Sequence, residues 1–304
     1  MDLLDKFGFL KVNQIVEFDI YRIQPMPKYE EQLSIIKKLS HKDGFYYPPI
    51  HKSYRRNFKS GKINRNALPN TARPVLIHRV APTHQVLCSK ELKSEQFRKG
   101  DGHFILSFLG FLYSTRLQFW NWWWENRINT EQKPIIVFRD NQLSSILSDG
   151  LATWQSLTPP QQRKYLNALF LFQRGKVMEW YYEKFIHYYI SLDTIWKLIS
   201  SSLNSPGTTP GHKQRIILIC QYLNICLTED AIDLIYNTRN ELFHEGLFGV
   251  LDGLDPLTTY SSERFHATLH LEQLIERMLI AILGFRPVFL STPWWYIRGW
   301  QNWD

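Results

Sequence analysis

Hydrophobic positions alternate with polar ones early in the chain and recur at three- and four-residue steps after about residue 155. The pattern predicts an α+β protein in which a mixed, partly β N-terminal domain (1–154) precedes an all-α helical bundle (155–304). Within residues 7–23 the run Val16-Glu17-Phe18-Asp19-Ile20 has the period of a half-buried strand, and one or two strands are expected there. Pro25 and Pro27 end that segment, residues 30–39 read as a short helix, and residues 40–74, with Pro48, Pro49, Pro69 and Pro74, read as a long loop or arm. Two short strand-like runs flank Ala81-Pro82 within residues 73–88. The largely apolar, proline-free stretch from His103 to Arg127 predicts a buried helix. Trp120, Trp122, Trp123 and Trp124 at its end are read as core or subunit-interface packing. Lys133 to Arg139 is a further strand candidate, closed by the polar turn Asp140-Asn141.

The second half is patterned for helices. Thr158-Pro159-Pro160 is a helix start with proline in the first turn, and the helix it opens is expected to run to Arg174-Gly175. From Lys176 to Leu203, aromatic and aliphatic residues such as Trp180, Phe185, Tyr188, Tyr189, Leu192, Ile195 and Trp196 predict one long amphipathic helix. The loop 204–211 leads to two helices over 213–227 and 228–245. Thr228 is placed to cap the second, with Glu229 and Asp230 in its first turn and Gly246 as its stop. Residues 247–260 read as a loop, Ser262 to Leu283 as a last helix, and Pro293 to Trp303 as a Trp-rich tail that docks on the surface.

Composition narrows the class. The chain has 304 residues, 44% hydrophobic and 21% charged, which excludes disorder and low-complexity fibres. Cys88, Cys220 and Cys226 form no CxxC pair and no Cys/His cluster of metal-ligand spacing, so neither a disulfide scaffold nor a zinc fold is expected, and no metal or cofactor is assigned. The start, Met1-Asp2-Leu3-Leu4-Asp5-Lys6, lacks the basic and apolar regions of an export signal. The most apolar window, Phe104 to Tyr113, is shorter than the roughly 20 residues a membrane helix needs. The expectation is a cytoplasmic protein without a membrane partner.

An excess of 36 Lys and Arg over 28 Asp and Glu gives a formal charge of +8, which favours a polyanionic partner. Much of it sits in a basic arm, 37–65. Lys37, Lys38, Lys42, Lys52, Arg55, Arg56, Lys59, Lys62 and Arg65 face the single acid Asp43, interleaved with Phe45, Tyr46, Tyr47, Tyr54 and Phe58. Cations for phosphates and rings for unpaired bases are what single-stranded nucleic acid requires. Lys52, Tyr54, Arg55, Arg56, Lys59, Lys62 and Arg65 are the candidate RNA-binding residues. The competing reading is a solvated loop whose aromatics pack back on the domain.

The segment Arg239-Asn240-Glu241-Leu242-Phe243-His244 is the strongest candidate for chemistry. The spacing alone is common in this chain, since Arg73/His78, Arg79/His84 and Arg98/His103 repeat it and Arg264/His270 is one residue longer. Only the Arg239 set combines a continuous helix, a polar residue after the arginine and a position near a helix C-terminus. Five residues apart on a regular α-helix, Arg239 and His244 are offset by about 140°, so they reach one groove from its two edges, bridged by a phosphate. Asn240, four residues before His244, is placed to orient the imidazole, and the helix C-terminus favours its protonated form, a general acid. Arg239 then neutralises charge developing on the phosphate.

These residues resemble the Arg-polar-x3-His motif of the HEPN superfamily. Residues 179–198 are similar to the aromatic-rich helix that precedes the motif helix in HEPN domains of the ApeA-like type, and the resemblance covers roughly residues 155–285. It implies a helical bundle that forms a homodimer with two motifs in one cleft. The implied activity is metal-independent RNA cleavage in a toxin or antiviral defence role: the ribose 2′-hydroxyl attacks its own phosphodiester, leaving a 2′,3′-cyclic phosphate. His244 would be the acid/base residue, Arg239 the phosphate binder and Asn240 the orienting residue. Two alternatives stand beside it: a non-catalytic HEPN adaptor that dimerises or binds a partner, and a basic nucleic-acid-binding protein whose motif is incidental.

Other chemistries find little footing. Glu91-Leu92-Lys93 fits one end of a metal-nuclease pattern, but no acid lies between Asp43 and Glu91 to supply the second carboxylate. His244-Glu245 is not followed by the second histidine of a zincin, and neither a P-loop, a dinucleotide glycine pattern nor a nucleophile elbow occurs.

Overall fold

The computed structural model describes residues 1–37, 41–42, 44–46, 52–67, 77–78, 82–125, 127–135, 142–203, 210–245 and 262–292. At 41–42, 52–55, 63–67, 77–78, 124–125, 262–265 and 288 it describes the backbone alone. It has mixed α+β architecture, with nine α-helices among the described residues and a small antiparallel sheet. The chain divides into two compact units, one of residues 1–98 and 115–133, the other of residues 99–114 and 134–304.

The first unit is built on β1 (Asp2–Gly8), β2 (Val16–Phe18) and β3 (Tyr21–Pro25), followed by α1 (Tyr29–Lys37). Short strands come next: β4 (His41–Lys42), β5 (Phe45–Tyr46), β6 (Lys52–Arg56), β7 (Ile63–Ala67) and β8 (Ile77–His78). β9 (His84–Cys88) and α2 (Ser94–Lys99) precede the excursion into the second unit, and β10 (Gln118–Phe119), β11 (Trp124–Glu125) and β12 (Ile128–Asn129) complete the first. The main sheet runs β10-β1-β9-β3-β2, all antiparallel. Alternation sets its buried face: Val16 and Phe18, Tyr21 and Ile23, and His84, Val86 and Cys88 all point inward.

The 40–74 region is not wholly the loop or arm expected. β6 and β7 pair in register from Lys52 with Ala67 to Arg56 with Ile63. These strands are polar on both sides, so no period-2 hydrophobic signal marks them; the turn does. Asn57 Oδ1 accepts from the backbone N–H groups of Lys59 (3.0 Å) and Ser60 (3.2 Å), and Gly61 supplies the positive φ of 68° that closes the hairpin.

In the second unit, α3 (Asp101–Leu112) is apolar all round because it is buried all round: Phe104, Ile105, Phe108, Leu109, Phe111 and Leu112 are each at most 1% exposed. It ends well before the expected Arg127. Tyr113 and Ser114 turn the chain out of the helix, Ser114 with φ of 50°, and the chain returns to the first unit as β10. The Trp run is consequently not helical, and Trp120, Trp122 and Trp123 are 38%, 39% and 57% exposed, which corrects the core reading and leaves the subunit-interface one; Trp122 and Phe119 meet edge to face.

α4 (Gln142–Ser156), which is not among the elements expected from the pattern, packs on α3 and buries Leu143, Ile146, Leu147, Leu151 and Trp154. The helical unit accordingly takes in 99–114 and 134–154 as well as the C-terminal half, so the division differs from a single cut after residue 154. Residues 133–135 are irregular rather than strand, and 136–141 lie outside the described residues.

α5 (Pro159–Val177) begins where expected, with Gln161 Oε1 accepting from both the N–H (3.0 Å) and the hydroxyl (2.8 Å) of Thr158. It runs past Gly175, because the Tyr188 ring of α6 (Tyr181–Ile199) lies where a side chain at 175 would be, 2.4 Å from an added Cβ. The single helix expected over 176–203 is therefore two, broken at 178–180. α7 (His212–Leu223) ends on Asn224 in the left-handed region, four residues short of the expected 227. α8 (Glu229–Asn240) opens on Thr228, whose hydroxyl accepts from Ala231 N–H at 3.4 Å. α9 (Ser262–Ile282) packs on α5, α6, α7 and α8. Tyr188 Oη donates to Glu272 Oε2 (2.7 Å), and Lys176 joins Glu272 and Glu276 on the same helix (2.9 Å to Glu276). Residues 204–209, 246–261 with the proposed Gly246 stop, and the 293–304 tail lie outside the described residues. No described helix is long and apolar enough to cross a membrane.

Candidate functional site

The site forms where three helices of the second unit bring their polar positions together. α8 does not continue as a regular helix through the motif; residues Glu241–Glu245 form a π-helical turn. The i→i+5 ladder of such a turn is wider than that of an α-helix, so residues five apart come onto one side instead of diverging by about 140°. Arg239 Nη1 consequently meets His244 Nε2 directly, at 2.7 Å.

This corrects two expectations. Arg239 and His244 do not stand at opposite edges of a groove but are paired. Asn240 does not reach the imidazole as expected; its Oδ1 accepts from the same Arg239 Nη1 at 3.0 Å, so it orients the guanidinium. The Asn240 and Arg239 side chains are half-buried and His244 is exposed.

The structure adds residues that spacing did not single out. Arg239 Nη2 lies 3.2 Å from His212 Nε2, at the start of α7, and His212 Nδ1 lies 3.0 Å from the Tyr189 hydroxyl of α6. Asp193, one turn after Tyr189, stands 3.9 Å from His212 Nδ1 and 3.4 Å from Arg215 Nη1. The rings of Tyr189 and Phe243 flank the guanidinium, with centroids 5.9 and 5.5 Å from its central carbon. A guanidinium only donates, so both Nε2 atoms accept, and both imidazoles carry their proton on Nδ1. His212 then donates to Tyr189. The signals for this set were present but scattered: Tyr189 and Asp193 fall on one face of α6, and His212 follows Pro210-Gly211, a helix-start signature.

The electrostatics favour an anion. Burial, followed by the charge of Arg239, pulls His212 below its ordinary value against the opposing pull of Asp193, with Arg215 and His244 adding to the depression. Burial pushes the Tyr189 hydroxyl well up, so it stays neutral. Among the described residues no carboxylate pairs with Arg239, and its buried Nε has no hydrogen-bond partner. Among the described residues its positive charge is therefore met by neutral acceptors and rings. The described residues contain no group of three His, Cys, Asp or Glu side chains that could hold a metal ion.

A cleft lined by Ile217, Cys220, Asn224, Cys226, Ile232 and Ser291 includes neither Arg239 nor a histidine. Glu91 and Lys93 of the metal-nuclease pattern are exposed, in the loop between β9 and α2. Of the arm residues, Arg56, Lys59 and Lys62 are exposed around the β6–β7 turn with Phe58, which is 93% exposed. Lys52, Tyr54, Arg55 and Arg65 are placed by their backbone in the same hairpin, Tyr54 opposite Arg65.

Compared with known proteins, the chain is matched by no family model, no curated protein and no solved structure.

Proposed function

We propose that the protein is a metal-independent RNA endonuclease of HEPN type, acting in toxin or antiviral defence as the resemblance of the motif implies. One observation carries the reading: Arg239 is held against His244 Nε2 with no carboxylate to neutralise it among the described residues, so an anion that draws the guanidinium also releases the imidazole beside it. In this reading the phosphodiester binds Arg239. The 2′-hydroxyl attacks phosphorus, His244 supplies acid/base catalysis, and a 2′,3′-cyclic phosphate and a 5′-hydroxyl result. Asn240 positions Arg239. The homodimer and the cytoplasmic setting implied by the sequence belong to the same proposal, and the exposed hairpin cations and Phe58 supply a surface for single-stranded RNA.

The test is incubation of the purified protein with RNA in EDTA beside Arg239→Ala and His244→Ala variants. Cleavage abolished in both, with a cyclic phosphate in the wild-type products, supports the proposal. RNA left intact by the wild type favours the adaptor reading instead.

A further inference from the structure

The chemistry proposed above needs one group to take a proton and another to give one, and the structure holds two imidazoles on one guanidinium. Arg239 reaches His244 through Nη1 at 2.7 Å and His212 through Nη2 at 3.2 Å. The two Nη atoms belong to the same planar group, so both Nε2 atoms border the position an anion takes when it displaces them from Arg239. The residues come from different elements, the start of α7 and the π-turn after α8, which is why no sequence motif contains both. Behind His212 stands a relay that His244 lacks among the described residues. Tyr189 Oη accepts from its Nδ1, and Asp193 lies 3.9 Å from the same atom, close enough to stabilise a positive charge formed there. His244 is exposed, in the π-turn at the end of α8. The buried, unpartnered Nε of Arg239 is a further donor not engaged by protein among the described residues.

We infer that His212, Arg239 and His244 form one phosphate-binding triad within a single chain, in which His212 is the general base and His244 the general acid. The inference rests on the ribonuclease reading for its chemistry but not for its ligand, which is a phosphate group. In the step it describes, His212 Nε2 takes the proton of the ribose 2′-hydroxyl and the 2′-oxygen forms its bond to phosphorus. The bond from phosphorus to the 5′-oxygen breaks, and protonated His244 gives its Nε2 proton to that oxygen. One proton enters the protein and one leaves, so no metal or redox partner is needed.

The binding test uses the wild-type protein with its histidines labelled, titrated with inorganic phosphate and with adenosine 2′-monophosphate while the imidazole NMR signals are followed across pH. The groups facing His212 in that titration are Tyr189 and Asp193 of α6, Arg215 of α7, and Arg239 and His244. His212 and His244 should shift together with a single saturation curve, and Arg239→Ala should abolish both shifts. A His212 signal that stays still while His244 moves overturns the triad.

The chemical test measures RNA cleavage by His212→Ala and His212→Gln, the second retaining a side chain that fills the site if the first fails to fold. Each should lose about 10²–10⁴-fold of the wild-type rate, as His244→Ala should. Cleavage unchanged in His212→Gln overturns the assignment. Mixing the inactive His212→Ala and His244→Ala proteins separates the one-chain centre from a shared one: no recovery is expected, and recovery to a substantial fraction of wild type means that the two imidazoles come from different chains. Should the wild type bind phosphate through both histidines yet cleave no RNA, the ribonuclease reading fails while the phosphate triad stands, and the general-base role fails with the former.

Discussion

Arg98 in the first unit and Arg239 in the second carry the same side chain into opposite surroundings. Arg98 grips both oxygens of Asp5, with Nη2 to Oδ1 at 2.8 Å, and that carboxylate, only 7% exposed, also accepts from Ser94 Oγ and from Lys6 N–H, each at 2.8 Å. The hydrogen bond to Asp5 raises the Arg98 value further, and the pair is electrically closed. Arg239 is no less engaged, but its hydrogen bonds go to two imidazole nitrogens and an amide oxygen. The charge of the partner, not the number of hydrogen bonds, separates a structural arginine from one able to receive an anion.

Removing the receptor is the strongest way to break this contrast. Arg239→Ala and His244→Ala should each lower RNA cleavage in EDTA by about 10²–10⁴-fold, with little change in the urea midpoint. Variants that cleave at the wild-type rate would remove the distinction between the two arginines.

Acid sharpens the difference between the units in another way. His84, 1% exposed between Thr83 and the Val12 carbonyl, is pulled by burial from 6.5 down to about 4. Because the folded value lies below the unfolded one, the unfolded chain binds the proton more tightly. Stability present above pH 6.5 thus declines as pH falls towards 4, by about 3 kcal/mol at the end of that window. Urea denaturation at a series of pH values should show that decline, and His84→Gln should flatten it.

Arg98→Ala comes next in size. It leaves the buried Asp5 carboxylate with only Ser94 and a backbone N–H, and should cost about 2–3 kcal/mol in urea denaturation while leaving cleavage within about twofold. The smallest effect belongs to the hairpin. Lys59→Glu with Lys62→Glu should weaken binding of single-stranded RNA and lower the slope of log affinity against log salt by about 0.7 for each phosphate no longer neutralised. An unchanged slope would mean that those cations do not meet the backbone.

What could be read in the sequence was whatever rests on local pattern. Thr228 as a cap and Thr158-Pro159 as a start need only neighbouring residues, and both appear where that pattern put them; the alternating run 16–20 is strand only to Phe18, because Asp19, with φ of 47°, turns the chain into β3. Features decided by distant partners were not legible. Gly175 looks like a helix stop until Tyr188 is known to sit against it, and α3 looks longer than it is because the residues after Leu112 are apolar for a different reason, as strand β10 and exposed tryptophans. α4 was within reach, since Leu143, Ile146, Leu147, Leu151 and Trp154 follow helical spacing, but Gly150 interrupts the pattern. At the site, the Arg239 and His244 spacing was visible, whereas the π-turn that pairs them and the placement of His212 27 residues upstream depend on how three helices meet.

The π-turn has a dynamic consequence. None of its five side chains is buried, so little hydrophobic burial opposes its unwinding, and local opening at 241–245 should proceed without disturbing the core beneath α8. An occupant that engages Arg239 and His244 at once would have to keep that segment wound. Order at the helix end and occupancy of the site are then two readings of one equilibrium, and slower amide exchange there would report binding before any bond in the ligand is broken.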